Sequence, residues 1–129
     1  MKSEPTTYSW EEFLKDKSTV WEGVRNYSAR IHLRCMQKGD LVLFYHSNIG
    51  KSVMGISKVL REAYQDPSTV DERWVAVDLA PVESFKNPVS LDQIKAEKKL
   101  ENIGLVKIGR LSVMPLEEKE FNLLCLMGK

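Results

Sequence analysis

The run Trp21-Glu22-Gly23-Val24-Arg25-Asn26-Tyr27-Ser28-Ala29-Arg30 gathers aromatic rings, guanidinium groups, a side-chain amide and a flexible glycine into one short stretch. Those groups suit a planar polar ligand. An aromatic face stacks on a nucleobase, an amide matches a donor and acceptor on the base edge, and guanidinium groups pair with phosphate. Taken by itself the same run reads as a loop entering a helix, with Asn26 as the cap. Ala29, Leu33 and Met36 recur at helical spacing, while Arg30, Arg34 and Lys38 recur on a different side, so a helix to about Met36 would pack on one face and be basic on another. From Gly23 through Gly39 there is no acidic residue and there are four basic ones. Such a patch either faces solvent or meets phosphate.

The rest of the chain has to position these groups. With 129 residues, 43% hydrophobic and 29% charged, it reads as one globular domain over 1–129, outside the disordered and membrane-spanning classes. A net charge of +1 excludes the global positive field of a protein that coats nucleic acid, so any such contact is local. Cys35 and Cys125 read as reduced, buried thiols, and with no secretory segment at the N-terminus a cytoplasmic location is expected. His32 and His46 lack metal-ligand spacing. Neither a metal nor a cofactor is expected.

Along the chain, Thr6 to Tyr8 is a short strand candidate, and Ser9 with Glu12 fits a capping box opening a helix through Leu14. A turn follows from Lys15 to Val20. Leu41 to His46 reads as a central strand, Ser47 to Lys51 as a hairpin-like loop, and Ser52 to Leu60 as the returning strand, with Gly55 a bulge or close-approach point. Asp66-Pro67-Ser68 marks a turn. Trp74 to Val82 is a long strand with Trp74 in the core, ended by Asn87-Pro88. Ser90 to Gln93 repeats the capping box, with a helix around Ile94 stopping near Lys98. Leu111 to Met114 is a short strand, and Glu117 to Glu120 open a last helix that buries Phe121, Leu123, Leu124 and Cys125 before Gly128. A three-stranded meander with short peripheral helices predicts an α+β domain with a strongly curved or closed sheet.

Several segments, in order, carry a resemblance. Lys2-Ser3-Glu4-Pro5, Tyr8-Ser9-Trp10, Trp21 to Tyr27, Leu43 to Asn48, Arg61 to Tyr64 and Arg110 to Val113 resemble the signature segments of the EVE domain family across nearly the whole chain. The resemblance implies a PUA-like pseudo-barrel of mainly antiparallel strands with flanking short helices. It also implies kinship with YTH domains and a pocket that takes one modified base of RNA or DNA. Carried over by position, the base pocket comprises Ser3, Trp10, Trp21, Val24, Asn26, Tyr45, His46, Ser47 and Ser112. Trp21, Trp10 and Tyr45 would stack, and Asn26, Ser3 and Ser47 would meet the polar edge. Lys2, Arg25, Arg30, Arg34 and Arg110 would hold phosphates.

Each of these residues has a plainer role as well. Trp10, in a first helical turn, also suits the core. Tyr45 and His46 alternate across a strand end, so only one can face a given side, and His46 can instead bond a neighbouring backbone group. Arg110 equally suits an ion pair with Glu4 or Glu62. The expected function is a non-catalytic nucleic-acid-binding module, monomeric and without membrane contact. Two alternatives stand beside it. One is an enzyme acting on a modified base, using His46, Ser47 and Asp40 or Asp78, although no nucleophile elbow surrounds any serine. The other is a protein-interaction adaptor.

Overall fold

The computed structural model describes residues 1–3, 8–47, 50–107 and 111–129. The expectations for Thr6, Thr7 and Arg110 fall outside these residues. In chain order the elements are β1 (Lys2–Ser3), α1 (Trp10–Asp16), β2 (Thr19–Trp21), α2 (Tyr27–Cys35), β3 (Leu41–His46), β4 (Ser52–Gln65) and β5 (Val75–Ser90). There follow α3 (Leu91–Ala96), a 3-10 turn (Lys98–Leu100), α4 (Gly104–Lys107) and α5 (Glu118–Met127).

Local chemistry sets the helix starts. The Glu12 N–H donates to Ser9 Oγ at 3.1 Å and the Ser9 N–H to Glu12 Oε1 at 3.2 Å, closing the box that opens α1. Ser90 and Gln93 do the same for α3. At α2 the Ala29 N–H donates to Asn26 Oδ1 at 3.0 Å, and the helix buries Ala29 and Leu33.

The sheet has the order β1-β3-β4-β5-β2, with β1 parallel to β3 and the other pairs antiparallel. The expected β3-β4-β5 meander is therefore present. Alternation along β3 sends Val42 and Phe44 into one core, with Phe13, Leu33 and Val77, and sends Leu43 and Tyr45 into a second, with Val89, Ile94 and Leu124. Three strand spacings separate β2 from β3, roughly 14 Å in a flat sheet. Yet the Trp21 ring of β2 lies 5.7 Å from the Phe44 ring of β3. The sheet must roll up to bring them together, and the register shifts along β4 show where it bends. Gly55 sits at one of them, where a Cβ would overlap the Trp10 ring and the Glu83 carbonyl oxygen.

The structure corrects four expectations. The expected turn to Val20 ends in a strand, because Thr19–Trp21 finds a partner edge at residues 77–79 of β5. β5 does not stop at Asn87-Pro88. Between the pairs Gly55↔Ser84 and Val53↔Val89 it carries extra residues in a wide bulge, where the N–H that Pro88 lacks is not needed. Leu111 to Met114 forms no strand, although Leu111 and Val113 are buried and the Lys2 N–H donates to the Ser112 carbonyl at 2.9 Å. Cys35 closes α2 facing solvent rather than the core, and Cys125 is half-buried.

Candidate functional site

The end of β3 assembles the site. β1 pairs Ser3 with His46, and the Ser47 N–H donates to the Ser3 carbonyl at 2.8 Å, so three polar residues meet at one corner of the sheet. Ser3 Oγ donates to the Tyr8 carbonyl at 2.6 Å, which leaves its lone pairs as acceptors. His46 stands edge-on to Phe44, with ring centroids 5.8 Å apart. Its Nε2 accepts the Trp10 N–H at 2.9 Å, which fixes the neutral tautomer with the proton on Nδ1. Burial holds its pKa below the usual 6.5, against a smaller upward pull from Glu11. A fixed N–H donor thus sits half-buried at the strand end.

Trp21, on β2 at the other edge of the sheet, also packs against Phe44. Its half-buried ring is perpendicular to Phe44 at 89°. Val24 packs into the same core. Behind these lies a closed aromatic group of Trp10, Phe13 and Phe44. Trp10 is only 3% exposed and its indole N–H donates to Ser84 Oγ at 2.9 Å, so it supports the site rather than stacking on a ligand.

A second group holds the loop before α2. Asp66 is fully buried and accepts the Gly23 N–H at 2.7 Å, the Arg25 guanidinium at 2.9 Å and the Ser68 N–H at 2.7 Å. Burial alone would raise its pKa, but the hydrogen bonds from Ser68, Arg25 and Gly23 outweigh that and hold it at about 2. Gly23 meets this anchor at φ +81, a conformation that favours glycine. Trp74 is then covered by two guanidinium groups, Arg25 at 5.6 Å and Arg30 at 5.5 Å, with Arg30 also 5.0 Å from the Tyr27 ring. Tyr27 remains 57% exposed.

The expected site residues therefore separate. Ser3, His46 and Ser47 meet at the end of β3, Trp21 and His46 each pack against Phe44, Val24 lies in the same core as Trp21, and Ser112 stands beside β1. Asn26 spends its Oδ1 on the α2 cap and stays exposed, with its amide NH2 unused by the cap. Arg25 gives its charge to Asp66, and Arg30 is wedged against Trp74 with a bond to the Arg73 carbonyl at 3.0 Å. Arg34 is exposed and makes no ion pair among the described residues. Lys2 and Tyr45 are paired across β1 and β3 and lie on the opposite sheet face, away from Trp21. The His46–Ser47–Asp grouping of the catalytic alternative is not formed among the described residues: Asp40 accepts the Gln37 N–H and Asp78 the Tyr64 hydroxyl. Asp66 and Phe44 were not legible as site residues. The Asp-Pro-Ser turn was the visible signal for Asp66, but its partners lie about forty residues away.

Comparison with known proteins bears on this geometry. The model of the EVE domain matches residues 1–127. Thymocyte nuclear protein 1 of Gallus gallus is 35% identical over 83% of this chain, which spans only 54% of that protein. The Homo sapiens protein of that name is 32% identical, over 95% of this chain and 69% of its own length. A Rhodopseudomonas palustris protein solved by NMR superposes with a TM-score of 0.95 at 42% identity, covering 99% of this chain and 90% of that one. Human THYN1 protein, solved in complex with DNA containing 5-methylcytosine, superposes with a TM-score of 0.91 at 31% identity, covering 100% of this chain and 95% of that one.

Proposed function

The chain belongs to the EVE domain family, and from that premise we propose that it is a non-catalytic module that binds nucleic acid by holding one modified base against Trp21. The observation that carries this reading is that a half-buried indole and the His46 imidazole both pack against Phe44, with Ser3 and Ser47 beside His46 at the end of β3. A base swung from its strand needs a stacking face and partners for its polar edge, roles this reading gives to Trp21 and to His46 with Ser3 and Ser47. Phe44 backs the indole, so Trp21 meets a ligand as a supported platform. Arg34 and Lys38, on the exposed side of and just beyond α2, supply phosphate contacts, with Arg30 inside them. The complex of the human relative makes 5-methylcytosine DNA the first ligand to test, with RNA carrying the same base beside it.

The test is fluorescence anisotropy with matched oligonucleotides, with and without 5-methylcytosine. Replacing Trp21 by Ala removes a stacking contact of about 1–3 kcal/mol, a roughly five- to 150-fold loss of affinity. Discrimination of the methyl group should be modest, because one methyl in a snug pocket contributes only about 1–3 kcal/mol. Equal binding by wild type and Trp21→Ala would reject the stacking platform. Conversion of the base during incubation, read by mass spectrometry of nucleosides, would reject a purely binding role.

A further inference from the structure

One face of α2 stays uncovered just beyond the loop that follows Trp21. Tyr27, Ile31 and Arg34 follow one another at the four- and three-residue spacing that keeps side chains on one face of a helix. All three are exposed, Tyr27 by 57% and Ile31 by 55%. The face thus runs from an aromatic ring through an apolar side chain to a cation, over about 10 Å of helix rise. No acidic residue lies between Gly23 and Gly39, so this chemistry suits a polyanion that also carries flat groups.

The ring at the head of this face is held in place. It lies 5.3 Å from the Trp74 ring at 36°, and the Arg30 guanidinium stands 5.0 Å from it and 5.5 Å from Trp74. Arg30 is itself fixed, since its Nη1 donates to the Arg73 carbonyl at 3.0 Å. Its buried Nε has no hydrogen-bond partner among the described residues, and the two rings take the place of one. A ring so supported gives up little freedom when a ligand stacks on it. Trp74 in turn stands three residues from Val77, the β5 partner of Trp21, at most about 11 Å of chain away. Trp21 is backed by Phe44 and Tyr27 by Trp74, so they form two separate supported rings a short stretch of chain apart.

We propose that this face of α2 is a second nucleotide subsite, on which an unmodified base next to the held one stacks on Tyr27 while its sugar meets Ile31 and its phosphate Arg34. This subsite rests on the nucleic-acid reading above and extends it to the strand flanking the modified base. Every base has a flat face, so stacking here adds affinity without reading the sequence. A flanking base is available to stack where it is unpaired, so the contact shows in a single-stranded oligonucleotide.

Fluorescence anisotropy of the full chain with a single-stranded oligonucleotide holding one 5-methylcytosine tests it, with an abasic residue placed on one side of that base in one version and on the other side in a second. One of the two abasic versions should bind wild type roughly five-fold or more weakly than the intact strand, the loss expected for one stacked base. Tyr27→Ala should show the same loss on the intact strand, with or without the methyl group and with an unchanged salt slope. It should lose nothing further with that abasic version. Tyr27→Phe keeps the ring and should bind like wild type. The abasic series is read on wild-type protein, so it holds even if Tyr27→Ala folds poorly. Wild-type affinity in folded Tyr27→Ala would overturn the proposal, as would full binding of both abasic versions by wild type, or a loss in Tyr27→Ala that is the same whichever base is missing. Trp21→Ala separates the two readings. A loss there with none in Tyr27→Ala removes the subsite alone, whereas wild-type affinity there rejects the base pocket at Trp21 whatever Tyr27→Ala does.

Discussion

Asn26 joins the helix cap to the candidate base site within one side chain. Its Oδ1 accepts the Ala29 N–H, and only its NH2 remains for a base edge. The two uses separate by substitution. Aspartate keeps the capping oxygen and removes the NH2, while alanine removes both, at a cost of about 1 kcal/mol in stability. Asn26→Asp should therefore hold the thermal midpoint of wild type. If the NH2 meets the base, this variant should still lose about ten-fold in affinity for the 5-methylcytosine oligonucleotide, the worth of roughly one hydrogen bond. Wild-type binding by Asn26→Asp, with weaker binding and lower stability in Asn26→Ala, would leave Asn26 a cap alone. His46 sets a complementary limit. Its Nε2 is already an acceptor, so it meets a ligand through Nδ1 as a donor, and base edges that present a carbonyl or ring nitrogen fit it.

At the scale of elements, the loop between β2 and α2 holds its shape through the buried carboxylate of the turn after β4. Asp66 has a folded pKa of about 2 against an ordinary 3.8. A carboxylate lowered in this way stabilises the folded state fully above the unfolded value, and the contribution is lost as pH falls through the folded one. Asp66→Asn keeps the shape and removes the charge, and should cost ~2 kcal/mol at neutral pH, in the range for hydrogen bonds to a charged group. Urea unfolding should show that difference constant from pH 7 to about 5 and shrinking between about 4 and 2. A difference that persists undiminished at pH 2 would mean that the carboxylate is not the anchor. The same loop shows what sequence could and could not supply. Caps at Ser9, Asn26 and Ser90 depend on residues three positions away, and each was readable. β2 exists only because β5 offers it an edge, and the Pro88 bulge only because β4 skips past it. The separation of Lys2 and Tyr45 from Trp21 depends on strand register, which local spacing does not specify.

Over the whole molecule, charge decides how it meets a polyanion. The net charge is +1, so long-range attraction to nucleic acid is weak and binding must rest on the corner site and a few phosphates. The positive groups from Arg25 to Lys38 are not equivalent. Arg25 is neutralised by Asp66, and Arg30 is packed on Trp74 and Tyr27, whereas Arg34 and Lys38 are exposed. Two or three phosphates are within the means of such a surface. Each neutralised phosphate of duplex DNA contributes about −0.9 to the slope of log K against log salt, so the wild-type slope should lie near −2 to −3. Arg34→Ala should make that slope shallower by about 0.9 and weaken modified and unmodified oligonucleotides by the same factor. Trp21→Ala should do the reverse, leaving the slope intact while lowering affinity at every salt concentration. Anisotropy titrations across a series of salt concentrations measure both. A slope of −6 or steeper would place the dominant contacts on a surface other than α2. An unchanged slope in Arg34→Ala would remove Arg34 from the phosphate path, because a side chain that meets a phosphate must return counterions to it when deleted.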